Sequence, residues 1–260
     1  MSAIVDLFDL TGRTALVTGG GRGVGRMAAE GLVRAGARVL VASRKLEDCE
    51  RTADELSGLG EVVPLQADLS TRGGCVALAA DVDERTDGLD VLVNNAGATW
   101  GAPLEEFPES GWDKVLDLNL KSPFFLTQLL LPRLREHATA DDPGRIINIG
   151  SIDGLRVPVM PTYSYSASKA ALHHLTRVLA VELGPDVTVN AIAPGPFESK
   201  MMAATLDAEQ ARFEAASPLG RIGRTDDIAG ATVFLASRAA AYVTGAVLPV
   251  DGGLSLVSPV

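Results

Sequence analysis

Short, unbroken runs of aliphatic residues recur along the chain, and each is followed by a stretch whose apolar positions fall three and four apart. Residues 13–18 (RTALVT) form the first run and residues 24–35 the first helical stretch. Runs at 38–43, 61–67, 89–94, 145–150, 187–193 and 246–250 repeat the pattern, with helical stretches at 46–56, 73–85, 110–137, 163–183 and 226–237. A strand that is apolar at every position is buried on both faces. The alternation therefore predicts an α/β fold, a doubly wound parallel sheet of Rossmann type with helices on both sides. Stretch 110–137 is expected to bend near Pro123, since proline removes a helical donor. No linker or shift in composition divides the chain, so residues 1–260 read as a single domain. One segment breaks the rhythm. Residues 196–224 follow the sixth strand and contain the amphipathic pieces KMMAATL and ARFEAASPL. Ligands of open α/β sheets bind at the carboxyl ends of strands, which makes this insert a candidate lid.

Composition narrows the function. A net charge of −10 argues against nucleic acid, which needs a basic face. No apolar run approaches the ~20 residues of a membrane span, and the acidic N-terminal stretch is unlike a signal peptide. The two cysteines, Cys49 and Cys75, lack metal or redox spacing and suit a reducing cytoplasm. His173 and His174 are helix neighbours about 100° apart, so they cannot share a metal and read as partly buried helix residues. A cytoplasmic protein acting on a small molecule, with no metal, is expected.

The chemistry begins at Thr18-Gly-Gly-Gly-Arg-Gly-Val-Gly25, between the first strand and the first helix. Glycines let the backbone turn tightly and approach a pyrophosphate, and the helix start adds free N–H groups. Gly19, Arg22, Gly23, Val24 and Gly25 are thus candidate dinucleotide contacts. An acid after the second strand would select NAD by binding its ribose hydroxyl. Here that strand ends in Ser43 and Arg44, and Arg22 stands in the glycine loop, so NADP(H) is expected. Farther on, PTYSYSASKAAL opens a helix. Tyr165 and Lys169 are four apart and share a face, while Tyr163 lies over Ala167. A phenol titrates near 10, and a neighbouring ammonium favours the phenolate, so Lys169 is expected to lower the pKa of Tyr165.

The pattern T-G-x-x-x-G-x-G resembles the short-chain dehydrogenase/reductase family, and further landmarks follow in order. These are Asn94-Asn-Ala-Gly97, Asn119, Ser151, Tyr165-x-x-x-Lys169 and Pro194-Gly195. The stretch NNAGATWGAPLEEFPESGWDKV is similar to the branch holding the β-ketoacyl reductase of rhamnolipid synthesis. The resemblance implies hydride transfer between a nicotinamide and a carbonyl carbon, with Tyr165 as acid or base. Ser151 would bond the carbonyl oxygen. Lys169 would hold the nicotinamide ribose, and Asn119 a relay water. Asp68 and Leu69 would meet the adenine, and Asn95, Ala96, Gly97, Pro194 and Gly195 would line the cofactor. It also implies a homotetramer built on the two long helices and the C-terminal segment. Ser151 and Tyr165 stand one residue farther apart than is usual in the family, and loop 152–162 absorbs the difference.

Asp153, Val159, Met160, Tyr163, Phe197, Met201 and Met202 are the candidate substrate contacts, a mostly apolar set. The leading expectation is an NADPH-dependent reductase of 3-oxoacyl thioesters. An NAD-linked dehydrogenase of a polyol, sugar acid or steroid alcohol is the alternative, and a non-catalytic dinucleotide sensor a distant one. Arg133 and Arg135 are available to dock an acidic carrier protein, whereas Glu182-Leu-Gly-Pro-Asp186 opposes it.

Overall fold

Seven strands form one parallel sheet in the order β3-β2-β1-β4-β5-β6-β7. They are β1 (Thr14–Thr18), β2 (Arg38–Ser43), β3 (Val62–Gln66), β4 (Val91–Asn94), β5 (Gly144–Ile149), β6 (Val187–Pro194) and β7 (Val247–Val250). The computed structural model describes residues 4–158, 160–199 and 203–257, with backbone alone for 203–208. The helices are α1 (Gly23–Arg34), α2 (Leu46–Leu56), α3 (Arg72–Asp83), α4 (Glu109–Leu116), α5 (Ser122–Glu136), α6 (Tyr163–Leu183), α7 (Ala203–Ala216) and α8 (Thr225–Ala236). The expected strands and helices are all present, with ends shifted by one or two residues.

The strands alternate even though they look uniformly apolar. Ala15, Val17, Val39, Val41, Val91, Val93, Ile147 and Ile149 face one core with α1, α2 and α8. Leu16, Leu40, Leu92, Ile146, Val187 and Val189 face the other with α3, α5 and α6. Each face of the pleat thus buries its own helix layer. On the first side α1 and α8 come very close, since a Cβ on Gly31 would lie 2.7 Å from the Ala229 Cα. Strand order reverses between β1 and β4, and open α/β sheets bind their ligands at such a point, beyond the carboxyl ends of the strands.

The stretch expected to bend near Pro123 is α4 and α5 joined by a π-helical turn over Asp117–Lys121. The irregularity lies just before the proline, for a simple reason. Pro123 has no N–H to give the carbonyl four residues back, that of Asn119, and the Ser122 N–H reaches Asp117 instead.

In the insert, the Phe197 backbone bridges Gly223, and the Gly223 N–H donates to Pro196 O at 3.0 Å. The excursion is therefore pinned at its base. Among the described side chains of α7, residues 209–216, none is buried.

Candidate active site

The glycine loop joins β1 to α1 at the strand reversal, with Arg22 extended at the helix start. Gly19 has φ 66°, and a Cβ there would lie 2.6 Å from the Asn95 amide nitrogen. A Cβ on Gly25 would lie 2.3 Å from the Gly19 carbonyl oxygen. The Thr18 hydroxyl accepts the N–H groups of Asn95 and Ala96, both at 3.0 Å. Asn95 Nδ2 donates back to Thr18 O at 2.9 Å and Gly19 O at 3.2 Å. The Nδ2 of Asn95 thus braces the loop. What remains is a bare backbone cradle at a helix N-terminus, which fits a pyrophosphate. The Gly23 position, φ 53°, faces Ser199 at 3.0 Å, so the start of the insert crosses this loop. Gly195 has another reason to be glycine, because its Cβ would lie 2.9 Å from Asp251. Pro194 closes β6 beside it, Leu69 is buried in one core, and Val24 packs partly against the other.

At the end of β2, Ser43 Oγ donates to Lys45 O at 2.7 Å and accepts a long bond from Cys49 Sγ at 3.3 Å. Arg44 is exposed, and its charge helps hold the Asp68 carboxyl below its usual range, after hydrogen bonds from Ser70. Arg22 is half exposed and lies 3.9 Å from the Asp48 carboxylate. Sequence reasoning missed Asp48, because it sits on α2 rather than at the end of β2. Its stronger partner is Arg51 at 2.6 Å, so Arg22 is poised rather than locked. Two cations with a neutral serine between them fit a 2′-phosphate.

The reacting groups gather where β5 and α6 meet. Ser151 leaves the end of β5, and its hydroxyl accepts the Asp153 N–H at 3.1 Å, capping a 3₁₀ turn. Ser151 also lies close enough to the Tyr165 hydroxyl to favour its phenolate. Lys169 is buried, donates to Ile149 O at 2.7 Å and stands 5.6 Å from the centre of the Tyr165 ring. Burial pushes the phenol up to about 12, Ser151 opposes the rise, and the nearby Asp153 adds to it. The expectation that Lys169 lowers this pKa is not met. The ammonium lies by the ring and is tied to a carbonyl, so desolvation dominates.

Asn119 is buried, and both atoms of its amide are engaged. Its Oδ1 accepts the Ala98 N–H at 2.8 Å, and its Nδ2 donates to Ala98 O at 2.9 Å and Ser168 Oγ at 3.0 Å. The side chain ties the loop after β4, including Gly97, to α6, and the π turn sets its depth. Its side-chain amide braces the fold, which leaves the backbone carbonyl, without a helical N–H from Pro123, as the group that could hold the relay water the resemblance implies.

Burial alone pulls Lys169 down to about 8 from 10.5. A lowered lysine pKa means the folded state disfavours the cation, and the penalty is full below about pH 8. It fades as pH rises and is gone above 10.5, where the unfolded chain also loses its proton. The shift is worth roughly 3 kcal/mol, less about 1 for the carbonyl left unpaired by substitution. Lys169→Met is therefore expected to raise the Tm of the protein alone by roughly 4–8 °C at neutral pH. The gain should shrink between pH 8 and 10.5, and calorimetry across that range checks it.

Tyr163 points away from this group. Its ring meets Phe107 edge-on at 5.5 Å, and Phe107 meets Trp112 at 6.1 Å. This aromatic wall was not foreseen, since nothing in sequence links residue 107 to residue 163. Met160 is exposed, whereas Asp153 is partly buried, with its carboxyl pushed up by desolvation and pulled back by Arg156. Phe197 is withdrawn from the pocket. It is 2% exposed and packs in the core against Gly223, whose missing Cβ makes room for the ring. Val159, Met201 and Met202 lie outside the described residues.

A glycine cradle at the strand reversal, with a Ser–Tyr–Lys group where β5 and α6 meet, defines an oxidoreductase that works with a nicotinamide dinucleotide. The family model described as enoyl-(acyl carrier protein) reductase matches residues 19–255, and the chain belongs to the short-chain dehydrogenase/reductase family. The rhamnolipids biosynthesis 3-oxoacyl-[acyl-carrier-protein] reductase of Pseudomonas aeruginosa is 49% identical, over 96% of this chain and 98% of that one. The gluconate 5-dehydrogenase of Gluconobacter oxydans is 34% identical, over 96% and 98%. Among solved structures, the NADP active-site complex of RhlG from Pseudomonas aeruginosa superposes with TM-score 0.93 at 48% identity, covering 96% of this chain and 99% of that one. No described helix is long and apolar enough to cross a membrane.

Proposed function

We propose that the protein is an NADPH-dependent carbonyl reductase whose substrate is a 3-oxoacyl thioester. The observation that carries the reading is the Tyr165 phenol beside Lys169, whose Nζ lies 5.6 Å from its ring and bonds Ile149 O at the carboxyl end of β5. A neutral phenol is the form that gives a proton to a nascent alkoxide, so reduction is the direction served at neutral pH. NADPH supplies the hydride when bound. Ser151 donates to the carbonyl oxygen, and Tyr165 delivers the proton to it. Lys169 orients the nicotinamide ribose from the floor of the site. Arg22, Ser43 and Arg44 take the 2′-phosphate, and Asp68 the adenine amino group. The wall formed by Tyr163, Phe107 and Trp112 suits an acyl chain, as does the name of the 49% identical relative. Residues 196–224 act as the lid, since their first part already lies on the glycine loop.

Delivery by an acidic carrier is disfavoured. Arg133 is paired with Asp83 at 2.7 Å and Arg135 with Asp186 at 3.1 Å, so neither is the free cation expected from sequence. A coenzyme A ester or a simple thioester is the better substrate form. The exposed apolar residues Phe124 on α5, Val178 and Val181 on α6, and Tyr242 and Leu256 near the C-terminus support a homotetramer, which light scattering checks.

A second reading has its own observation. Asp153 places a carboxyl near Tyr165, with the Arg156 guanidinium close behind it and donating to Leu254 O at 2.7 Å, which suits a polyhydroxy acid. The gluconate dehydrogenase relative favours the same class. Initial rates with NADPH across 3-oxoacyl thioesters, simple ketones and 5-oxogluconate separate the two. The thioester reading expects catalytic efficiency to rise with chain length and to exceed that for the sugar acid at least about tenfold. A preference for the sugar acid would overturn it.

A further inference from the structure

His173 is the one histidine buried among the described residues, at 2% exposure, and it lies one helical turn beyond Lys169 on the same face of α6. Neither ring nitrogen makes a hydrogen bond. Burial first, then the Lys169 ammonium, pulls its pKa down to about 4, so the ring is neutral at working pH. The Gly154 backbone opposes that shift without reaching hydrogen-bonding geometry.

The ring fills the space beneath the turn that bears Ser151. A Cβ on Gly150 would lie 2.1 Å from His173 Nε2, and one on Gly154 would lie 2.9 Å from its Cε1. The Gly154 position also lies 2.7 Å from the Lys169 carbonyl carbon. Both ends of the turn therefore rest on the imidazole, the Gly154 end on the α6 backbone at Lys169 and Ala170 as well, and at Gly150 the ring is the nearest reason for glycine. Packing alone would be met more cheaply by leucine, since a buried polar atom left unpaired is costly. A local rule broken beside a reacting group points to function.

We infer that His173 is a positioning residue for Ser151: its ring carries the registry of α6 into the Gly150 and Gly154 ends of the turn and so sets where the Ser151 hydroxyl stands relative to Tyr165. This rests on the proposal that Ser151 bonds the substrate carbonyl, and the test separates the two. His173→Leu, His173→Gln, Ser151→Ala and the two double variants are assayed for ketone reduction with NADPH, for NADPH affinity by fluorescence and for Tm. His173→Leu is expected to lose about tenfold in kcat, with NADPH affinity within about twofold. His173→Gln, planar and similar in reach, should recover part of the loss. In the Ser151→Ala background neither substitution should lower kcat further. Should His173→Leu fail to fold, the Gln variant completes the same cycle. Equal losses in both backgrounds, or a lower Tm with unchanged kcat, would overturn the inference. Full activity of Ser151→Ala alone would instead sink the proposed role of Ser151.

Discussion

Tyr165→Phe is expected to lose at least about a hundredfold in turnover while still binding NADPH, because general acid catalysis is typically worth 10²–10⁴. Tyr163→Phe, two residues away, should lose less than about threefold. The two side chains diverge by about 200° around the helix, so they cannot serve one substrate atom. Tyr165 stands close to Ser151 and beside Lys169. Tyr163 spends its ring on Phe107 and is exposed. With the phenol pushed up to about 12, the acid form is fully populated at neutral pH, so the loss should show in reduction without any change of buffer. Steady-state kinetics on both variants, with NADPH binding measured separately, checks the assignment. The opposite order of losses would show that Tyr163 is the acid.

NADPH is expected to exceed NADH by at least about tenfold in catalytic efficiency, and Ser43→Asp with Arg44→Ile to narrow or reverse that gap. A charge pair at ~4 Å is worth ~4 kcal/mol at an effective dielectric of ~20, and solvent exposure with salt leaves about a third of it. That third is still about tenfold. Arg22 is half exposed and Asp48 lies 3.9 Å away, so the discount is real. Asp48 is held more closely by Arg51, which leaves Arg22 free to turn to a phosphate. An aspartate at position 43 would face the phosphate with a like charge and offer the NAD ribose an acceptor. Efficiencies for both cofactors at low salt, in the wild type and the double variant, test this. Equal use of NADH by the wild-type protein would sink the reading.

Local chemistry settled what the sequence could settle. Unbroken aliphatic runs between helical stretches can only be strands covered on both faces, so the doubly wound sheet was legible from residues 13 to 250. The glycine loop was legible because glycine alone fits its close approaches, and the pairing of Tyr165 with Lys169 because a helix fixes residues four apart. Even the break before Pro123 follows from a missing N–H. The rest depends on elements far apart in the chain. Nothing local says that the side-chain amides of Asn95 and Asn119 are spent on bracing, because their partners lie 21 to 77 residues away. Nothing local says that Phe197 enters the core, that Phe107 backs Tyr163, or that Asp83 and Asp186 neutralise two arginines. The pKa of Tyr165 shows the difference most plainly. Sequence spacing puts a cation on the same helix face, which predicts a lowered value. Tertiary burial removes water from the phenolate and ties the cation to Ile149, and desolvation decides the sign.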